Sequence, residues 1–545
     1  MNLIPDIKNM TLREKIGQMF IMRDDRLRNM IADDEIEKYL SENPIGGLWA
    51  TGRLKKMSAY LNFEAADNAG DLSELREYVD LLNKNLSVPL LVGGDSEKGG
   101  FMGTVEISGP DAAAAANDCE ISYEYGACEA NVLKCGGLNW RWSPIADLSN
   151  HNSSISVNRV CSDDPEKVIS YCKNMIRGTQ NNGVAATVKH FPGHDINETR
   201  DPHFMSSENK SDYEGWLETQ GRVYKEAIQS GAYSVMIGHT SFPAADDSFI
   251  GNKRRPASFS KKIITDLLKN EWGFDGVVVT DDIGMRSAFS VFGRENTDKM
   301  YIELINAGND MLLGSPIGDN REDYIGYIEK AVKEGIVSSE RIDDAWSRVL
   351  NMKYKLGLFS ENREKTDLNT AEHKTHCLNK RLAEKSLTLL SDSNKLLPLD
   401  KNKVKNIAII YVTHSELFPK KLEPLAAALK NMGVSSKIID IRKCNLQRIS
   451  AENDVIIYAN FVSAHQPMGH CTFFGEIAQQ FFKIMSFGAE KSVVVSFGSP
   501  FIRQEYYEEA ETYINAYWYN SEVMEALVKA LFGEIPFAGI SPCDL

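Results

Sequence analysis

No segment of this 545-residue chain approaches the roughly 18 consecutive apolar residues that a membrane span needs. The opening stretch, MNLIPDIKNMTLREKIGQMF, lacks a basic region followed by an apolar one, so no secretory leader is legible. Cysteine is sparse and unordered: nine residues, an odd number, with no CxxC pair. That excludes a disulfide scaffold and fits reduced, mostly buried thiols, so the expected compartment is the cytoplasm. Positive charge is in deficit, with 61 Lys and Arg against 76 Asp and Glu and a net charge of −15 at pH 7. A nucleic-acid surface, which needs clustered excess cations, is therefore not expected, and neither is a membrane partner. There is no GxGxxG, no GxxxxGK[ST] and no HExxH, so neither a nucleotide fold nor a standard zinc protease is indicated. Internal repeats and low-complexity segments are also missing.

What remains is an ordinary globular composition, 43% hydrophobic and 25% charged. A chain this long holds two to four domains and a core that needs neither disulfide nor metal. Eight short apolar runs recur: 17–22, 46–50, 89–95, 138–147, 183–191, 233–239, 276–282 and 310–314. They are continuous rather than alternating, as parallel strands buried on both faces are. Helical patterns lie between them, for example Ser73–Asn83, Ala112–Cys135, Pro165–Asn182, Asp212–Ser230 and Ser260–Glu271. Eight strands alternating with helices predict a (β/α)8 barrel of the TIM type over residues 1–356. The polar, aperiodic stretch 357–380 reads as a linker, with HKTHC (373–377) a solvated part of it. A second series of strands, at 406–412, 435–441, 454–460, 491–498 and 512–518, predicts a smaller α/β sandwich domain over 381–545 with a mostly parallel sheet.

Five of the eight barrel runs end in chemistry: Asp95, Asp147, Lys189-His190, His239 and Asp281-Asp282. Barrel active sites lie at those strand ends. One such Asp merely marks where a strand stops, and for Asp147 alone a cap or loop role is the plainer reading; five together point to a site. The loop after Lys189-His190 places Asp201 two residues before His203. A carboxylate that close fixes an imidazole tautomer and makes His203 a candidate general acid or base. The same loop with His190, His194 and His203 is an alternative metal site, although its spacing matches no standard zinc motif. Of the adjacent pair, Asp281 is expected to face the mouth as a nucleophile and Asp282 to start the following helix. An acidic mouth holding Lys189 and Arg159 suits an uncharged polyhydroxylated ligand.

At these residues the chain resembles glycoside hydrolase family 3, and within it the β-N-acetylhexosaminidase branch. The resemblance runs from MTLREKIGQMF through DSEKGG, NWRWSPIADL, KHFPGH with its D-x-H pair, MIGHTSFPA and GFDGVVVTDDIGM to ALFGEIPFAGISP. It implies that Asp281 is the nucleophile, His203 the acid/base and Asp201 its partner. It implies that Asp95, Arg159, Lys189, His190 and Met285 hold the terminal sugar. The implied activity is exo-acting, retaining removal of terminal β-linked N-acetylglucosamine from an oligosaccharide or glycoside, without metal or organic cofactor, by a monomer or homodimer. Alternatives on the same scaffold are a β-glucosidase, a glycoside phosphorylase or a catalytically weak sugar binder. Two departures stand out. EKGGFMGT carries Lys98 and lacks the Arg of the family's EGGRVxR, and Pro202 sits inside the dyad. The loop MGHCTFFGE, with His470, is a candidate pocket rim on the second domain.

Overall fold

A computed structural model describes residues 10–32, 34–51, 71–97, 100–101, 104–149, 159–314, 323–360, 366–462, 472–484 and 487–545. Lys98 and His470 lie outside them. Eight parallel strands form one sheet: β1 (Phe20–Arg23), β2 (Gly47–Trp49), β3 (Leu91–Gly94), β4 (Trp140–Arg141), β5 (Ala185–Phe191), β6 (Ser234–Ile237), β7 (Val277–Thr280) and β8 (Leu312–Leu313). Each falls within one of the eight apolar runs, except that β1 extends one residue past its run, to Arg23. β8 pairs with β1, and a parallel bridge from Val279 to Met311 joins β7 to β8, closing the barrel.

Burial on both faces explains why the runs do not alternate. Every residue of β1, β3, β5, β6 and β7 is buried. The core packed on these strands includes Ile21, Leu91, Trp140, Ala185, Met236, Val277, Val279 and Met311. The indole of Trp140 donates to Thr187 Oγ1 at 2.7 Å and Ser234 Oγ at 2.8 Å, which satisfies the one polar atom it buries. Gly93 has to be glycine for a steric reason: a Cβ there would lie 2.6 Å from the Trp142 ring.

The second sheet has six strands: β9 (Thr388–Asp392), β10 (Asn406–Thr413), β11 (Ser435–Asp440), β12 (Val455–Phe461), β13 (Ser492–Ser496) and β14 (Thr512–Asn515). Their order is β9-β14-β13-β12-β10-β11, parallel except for β9, which runs antiparallel to β14. Alternate residues feed two cores, Ile407 and Ile409 one, Ala408 and Ile410 the other. The sheet is thus covered on both faces, as an α/β sandwich requires. β9 was not among the expected strands, because its residues are only partly buried and read as polar.

The compact units are not two consecutive stretches. One comprises Met1–Thr104, Tyr123–Asp147 and Cys172–Glu372; the other comprises Val105–Ser122, Leu148–Tyr171 and His373–Leu545. The expected linker needs correction: Leu368–Ser386, within and beyond it, is a 19-residue helix. Its buried face is Ala371, Thr375, Leu378, Asn379, Leu382, Ala383 and Ser386. The spacing is helical, but three of those residues are polar, which hides the stripe from a hydrophobic reading. His376 of the HKTHC stretch lies on this helix and bonds to Glu522 at 2.6 Å. Among the described residues no helix is long and apolar enough to cross a membrane.

The helix Ser339–Lys355 starts at a Ser338 cap and buries Ile342, Ala345, Trp346, Val349, Leu350, Met352 and Lys353. Among the described residues the Lys353 ammonium meets the amide oxygen of Gln18, at 2.6 Å. Burial without a carboxylate partner pushes its pKa down to about 7. Folding therefore releases a proton between that value and the ordinary Lys range, and stability falls as pH drops through that window. Lys353→Met, of similar volume, is expected to raise the unfolding free energy, and its advantage shrinks by about 3 kcal/mol between about pH 7 and pH 9.5. Urea unfolding of both proteins at the two pH values checks this.

Candidate active site

The C-terminal strand ends bring one cluster together within the barrel unit. Asp95 follows β3, Asp147 lies in the loop after β4, Lys189 and His190 end β5, His239 follows β6 and Asp281 follows β7. The β5–β6 ladder breaks between Val188 and Phe191, so strict alternation fails where Lys189 and His190 sit. Lys189, only 2% exposed, pairs with Glu97 at 2.5 Å and Asp95 at 2.9 Å. The Glu97 loop is braced from behind. Arg141 Nε donates to the Ser96 carbonyl at 2.9 Å, and the Ser96 hydroxyl donates to buried Glu129.

Asp281 is the electrostatic focus. Burial pushes its carboxyl up, yet the surrounding His190, His239, His203 and Lys189 more than reverse this and hold it at about 2. Its neighbour Asp282 behaves oppositely, pushed up by burial. Two adjacent carboxyls are thus driven apart, which separates a permanent anion from a group that protonates more readily. Asp281 Oδ1 accepts the Asp282 N–H at 2.8 Å, and Asp282 Oδ1 accepts the Gly284 N–H at 2.9 Å. The expectation that Asp282 caps the next helix is corrected. That helix, Arg286–Phe292, starts at Met285 with no side-chain cap, because Asp282 closes a turn three residues too early.

His239 is fully enclosed, and burial holds its pKa below the usual histidine range despite Asp281 beside it. Its Nε2 lies 3.1 Å from the Asp282 carbonyl and its Nδ1 2.8 Å from Ser258 Oγ. Those partners fit a neutral ring that donates from Nε2 and accepts at Nδ1. Lys189 is therefore the fixed positive charge of the cluster.

The dyad forms as expected. His203 Nδ1 lies 2.7 Å from Asp201 Oδ1, and the same oxygen accepts the His203 N–H at 2.8 Å. Asp201 is buried, while the His203 side chain is 35% exposed. Pro202 does not detach the loop. The Pro202 and His203 carbonyls accept the N–H groups of Ser287 and Arg286 at 3.2 and 3.1 Å. This ties the dyad to the helix that follows Asp281.

Asp147 proves to be more than a cap. It is buried, with Oδ2 at 2.9 Å from His190 Nδ1 and Oδ1 accepting the Tyr224 hydroxyl at 2.8 Å. Asp147, His190 and His194 are the trio among the described residues whose ligand atoms approach within 4.8 Å of one another. Both oxygens of Asp147 already accept hydrogen bonds, and His194 Nδ1 meets Thr240 Oγ1 at 3.0 Å. The trio is thus joined by hydrogen bonds to Tyr224 and Thr240.

Met285 is buried and bonds through its N–H to the Asp282 carbonyl at 2.9 Å. Arg159 falls in the second compact unit, so the barrel unit by itself does not contain it. Tyr224 and Ser258 escaped the sequence reading. Tyr224 sits on the apolar stripe of the helix Gln220–Gln229 with Val223, Ala227 and Ile228. The available signal was its hydroxyl, which needs a partner when buried.

A closed parallel barrel with an acid–base cluster at its C-terminal mouth is the architecture of a barrel enzyme. The chain belongs to glycosyl hydrolase family 3, whose N-terminal domain model matches residues 11–352. It is a glycosidase of that family. It is 26% identical to a beta-N-acetylglucosaminidase/beta-glucosidase of Cellulomonas fimi, over 97% of this chain and 93% of that one. Among solved structures, a family 3 beta-N-acetylglucosaminidase from Paenibacillus sp. superposes with a TM-score of 0.81 at 25% identity, covering 98% of this chain and 99% of that one. A beta-glucoside phosphorylase shares the fold, with a TM-score of 0.82 at 24% identity over 98% and 94% of the two chains.

Lys189 pairs with Glu97 and Asp95 and also lowers the pKa of Asp281. Lys189→Met is expected to cost about 3 kcal/mol of stability, because it leaves buried negative charge unpaired. Adding Glu97→Gln should recover a large part of that loss. A double-mutant cycle by urea unfolding reads the coupling.

Proposed function

We propose that this protein is an exo-acting, retaining β-N-acetylglucosaminidase that works through a covalent glycosyl-Asp281 intermediate. The observation that carries the reading is an ionised carboxylate, Asp281, surrounded by Lys189 and three imidazoles, two of which, His190 and His203, are each held by a carboxylate. A nucleophile has to stay unprotonated, and a pKa of about 2 ensures that. An acid/base has to donate a proton and later take one, and an imidazole oriented by Asp201 does both near neutral pH.

In the first step His203 gives its proton to the glycosidic oxygen as the C1–O bond breaks. Asp281 attacks C1 from the opposite face and forms an ester. In the second step water gives a proton to His203 while its oxygen attacks C1, releasing the sugar and restoring the Asp281 carboxylate. Two inversions give net retention. Asp201 holds Nδ1, so proton transfer runs through Nε2. Lys189, His190 and Asp95, all of the barrel unit, serve the sugar hydroxyls. The N-acetyl preference is supported by the names of the Cellulomonas and Paenibacillus relatives. The β-glucosidase half of the Cellulomonas name makes glucose the sugar to test beside it.

The test is nitrophenol release from the N-acetyl-β-glucosaminide and the β-glucoside, with and without phosphate. The N-acetyl sugar should be preferred and phosphate should not accelerate turnover. Asp281→Asn should lower kcat by about a thousandfold or more. Asp201→Asn should lower it by roughly a hundredfold, more with poor leaving groups than with nitrophenol. Mass spectrometry after a 2-fluoro or 5-fluoro sugar should place the adduct on Asp281. An adduct elsewhere would overturn the mechanism, and glucose preference would overturn the sugar assignment.

A further inference from the structure

The hydrogen-bond chain behind His190 does not end at the carboxylate. Tyr224 is fully buried, and its ring packs edge-on against Phe191, with centroids 5.4 Å apart at 85°. Packing alone does not call for its hydroxyl. That hydroxyl donates to Asp147 Oδ1 at 2.8 Å, and Asp147 Oδ2 lies 2.9 Å from His190 Nδ1. Burial and the adjacent Asp147 charge raise the phenol's pKa well above the ordinary tyrosine value, so it remains a donor. The other donors to Asp147 are weaker. The backbone N–H groups of His190 and His194 both reach it at 3.4 Å. Without the phenol, Oδ1 keeps, among the described residues, the long contact from His194, and the carboxylate is free to turn. All three residues lie in the barrel unit, and His190 is among the groups that act on Asp281.

We infer that Tyr224 is a positioning residue: through Asp147 it fixes the proton of His190 on Nδ1 and so determines which face of the ring Nε2 presents to the sugar. The carboxylate cannot donate, so the nitrogen against it must. Nε2 is then the nitrogen left for the ligand, in one orientation. Tyr224 touches neither sugar nor reacting atoms; it acts by holding the Asp147 carboxylate in one rotamer, much as outer-shell partners orient ligating histidines.

This inference rests on reading the barrel mouth as the sugar site, and its test separates the two. Tyr224→Phe keeps the ring packing and removes the hydroxyl. On the nitrophenyl N-acetyl-β-glucosaminide it should lower kcat/KM by about tenfold, the size expected for one buried hydrogen bond to a charged group. In a His190→Gln background the same substitution should cost less than about twofold, because the positioned ring is gone. Nitrogen-15 spectra of labelled histidines provide a readout that needs no turnover. His190 Nδ1 should sit in the protonated range in the wild type and move toward a mixture of tautomers in Tyr224→Phe. An equal loss in both backgrounds, or an unchanged His190 spectrum in a folded variant, would overturn the inference. If the N-acetyl sugar is not the substrate, the spectrum still decides the role of Tyr224.

Discussion

A carboxylate enclosed at the mouth of a parallel barrel is tenable only if positive charge surrounds it. Asp281 meets that requirement through Lys189, and His190, His203 and His239 around it also hold its pKa down. Lys189 itself needs Asp95 and Glu97, and Glu97 sits on a loop braced by Arg141 and Glu129. His190 needs Asp147, which needs Tyr224. His203 needs Asp201. Compensating one buried charge thus propagates through the barrel mouth, and most of the polar residues there answer to it.

The geometry also divides labour between like groups. Asp281 and Asp282 are adjacent, yet one is held ionised by Lys189 and the imidazoles around it, while burial outweighs Arg23 and Arg26 at the other and pushes it up. The histidines divide in the same way. His203 is half-buried and tied to a carboxylate, while His239 is enclosed between a hydroxyl and a carbonyl and fits a neutral ring. A mobile-looking loop composition, PGHDINETRDP, is in fact pinned. Asp195 accepts the Asn197 and Lys210 N–H groups at 2.8 Å, and the dyad's own carbonyls meet the helix after Asp281.

Much of this is legible in the sequence. Continuous apolar runs located all eight barrel strands, because burial on both faces leaves no polar alternation to confuse them. Strand ends rich in Asp, Lys and His marked the mouth, and the Asp201–His203 spacing found the dyad, since a two-residue separation already puts carboxylate and imidazole within reach. The helix Leu368–Ser386 was hidden because Thr375, Asn379 and Ser386 occupy its buried face. Edge strand β9 was hidden because it is only half covered.

The sequence by itself determined the local and periodic features: which segments are strands, which strand ends carry chemistry, and which histidine has an acid two residues away. These depend on residues close along the chain and on burial patterns written in the side chains. The tertiary structure alone decided the long-range pairings. Tyr224 reaches Asp147 across 77 positions and Lys189 reaches Asp95 across 94. It also decided that Asp282 closes a turn instead of capping a helix, and that segments 105–122 and 148–171, with Arg159, cluster with the second unit. No spacing rule encodes such pairs, because folding fixes the distance between residues far apart in sequence, and a charge acquires its pKa only from the neighbours that folding supplies.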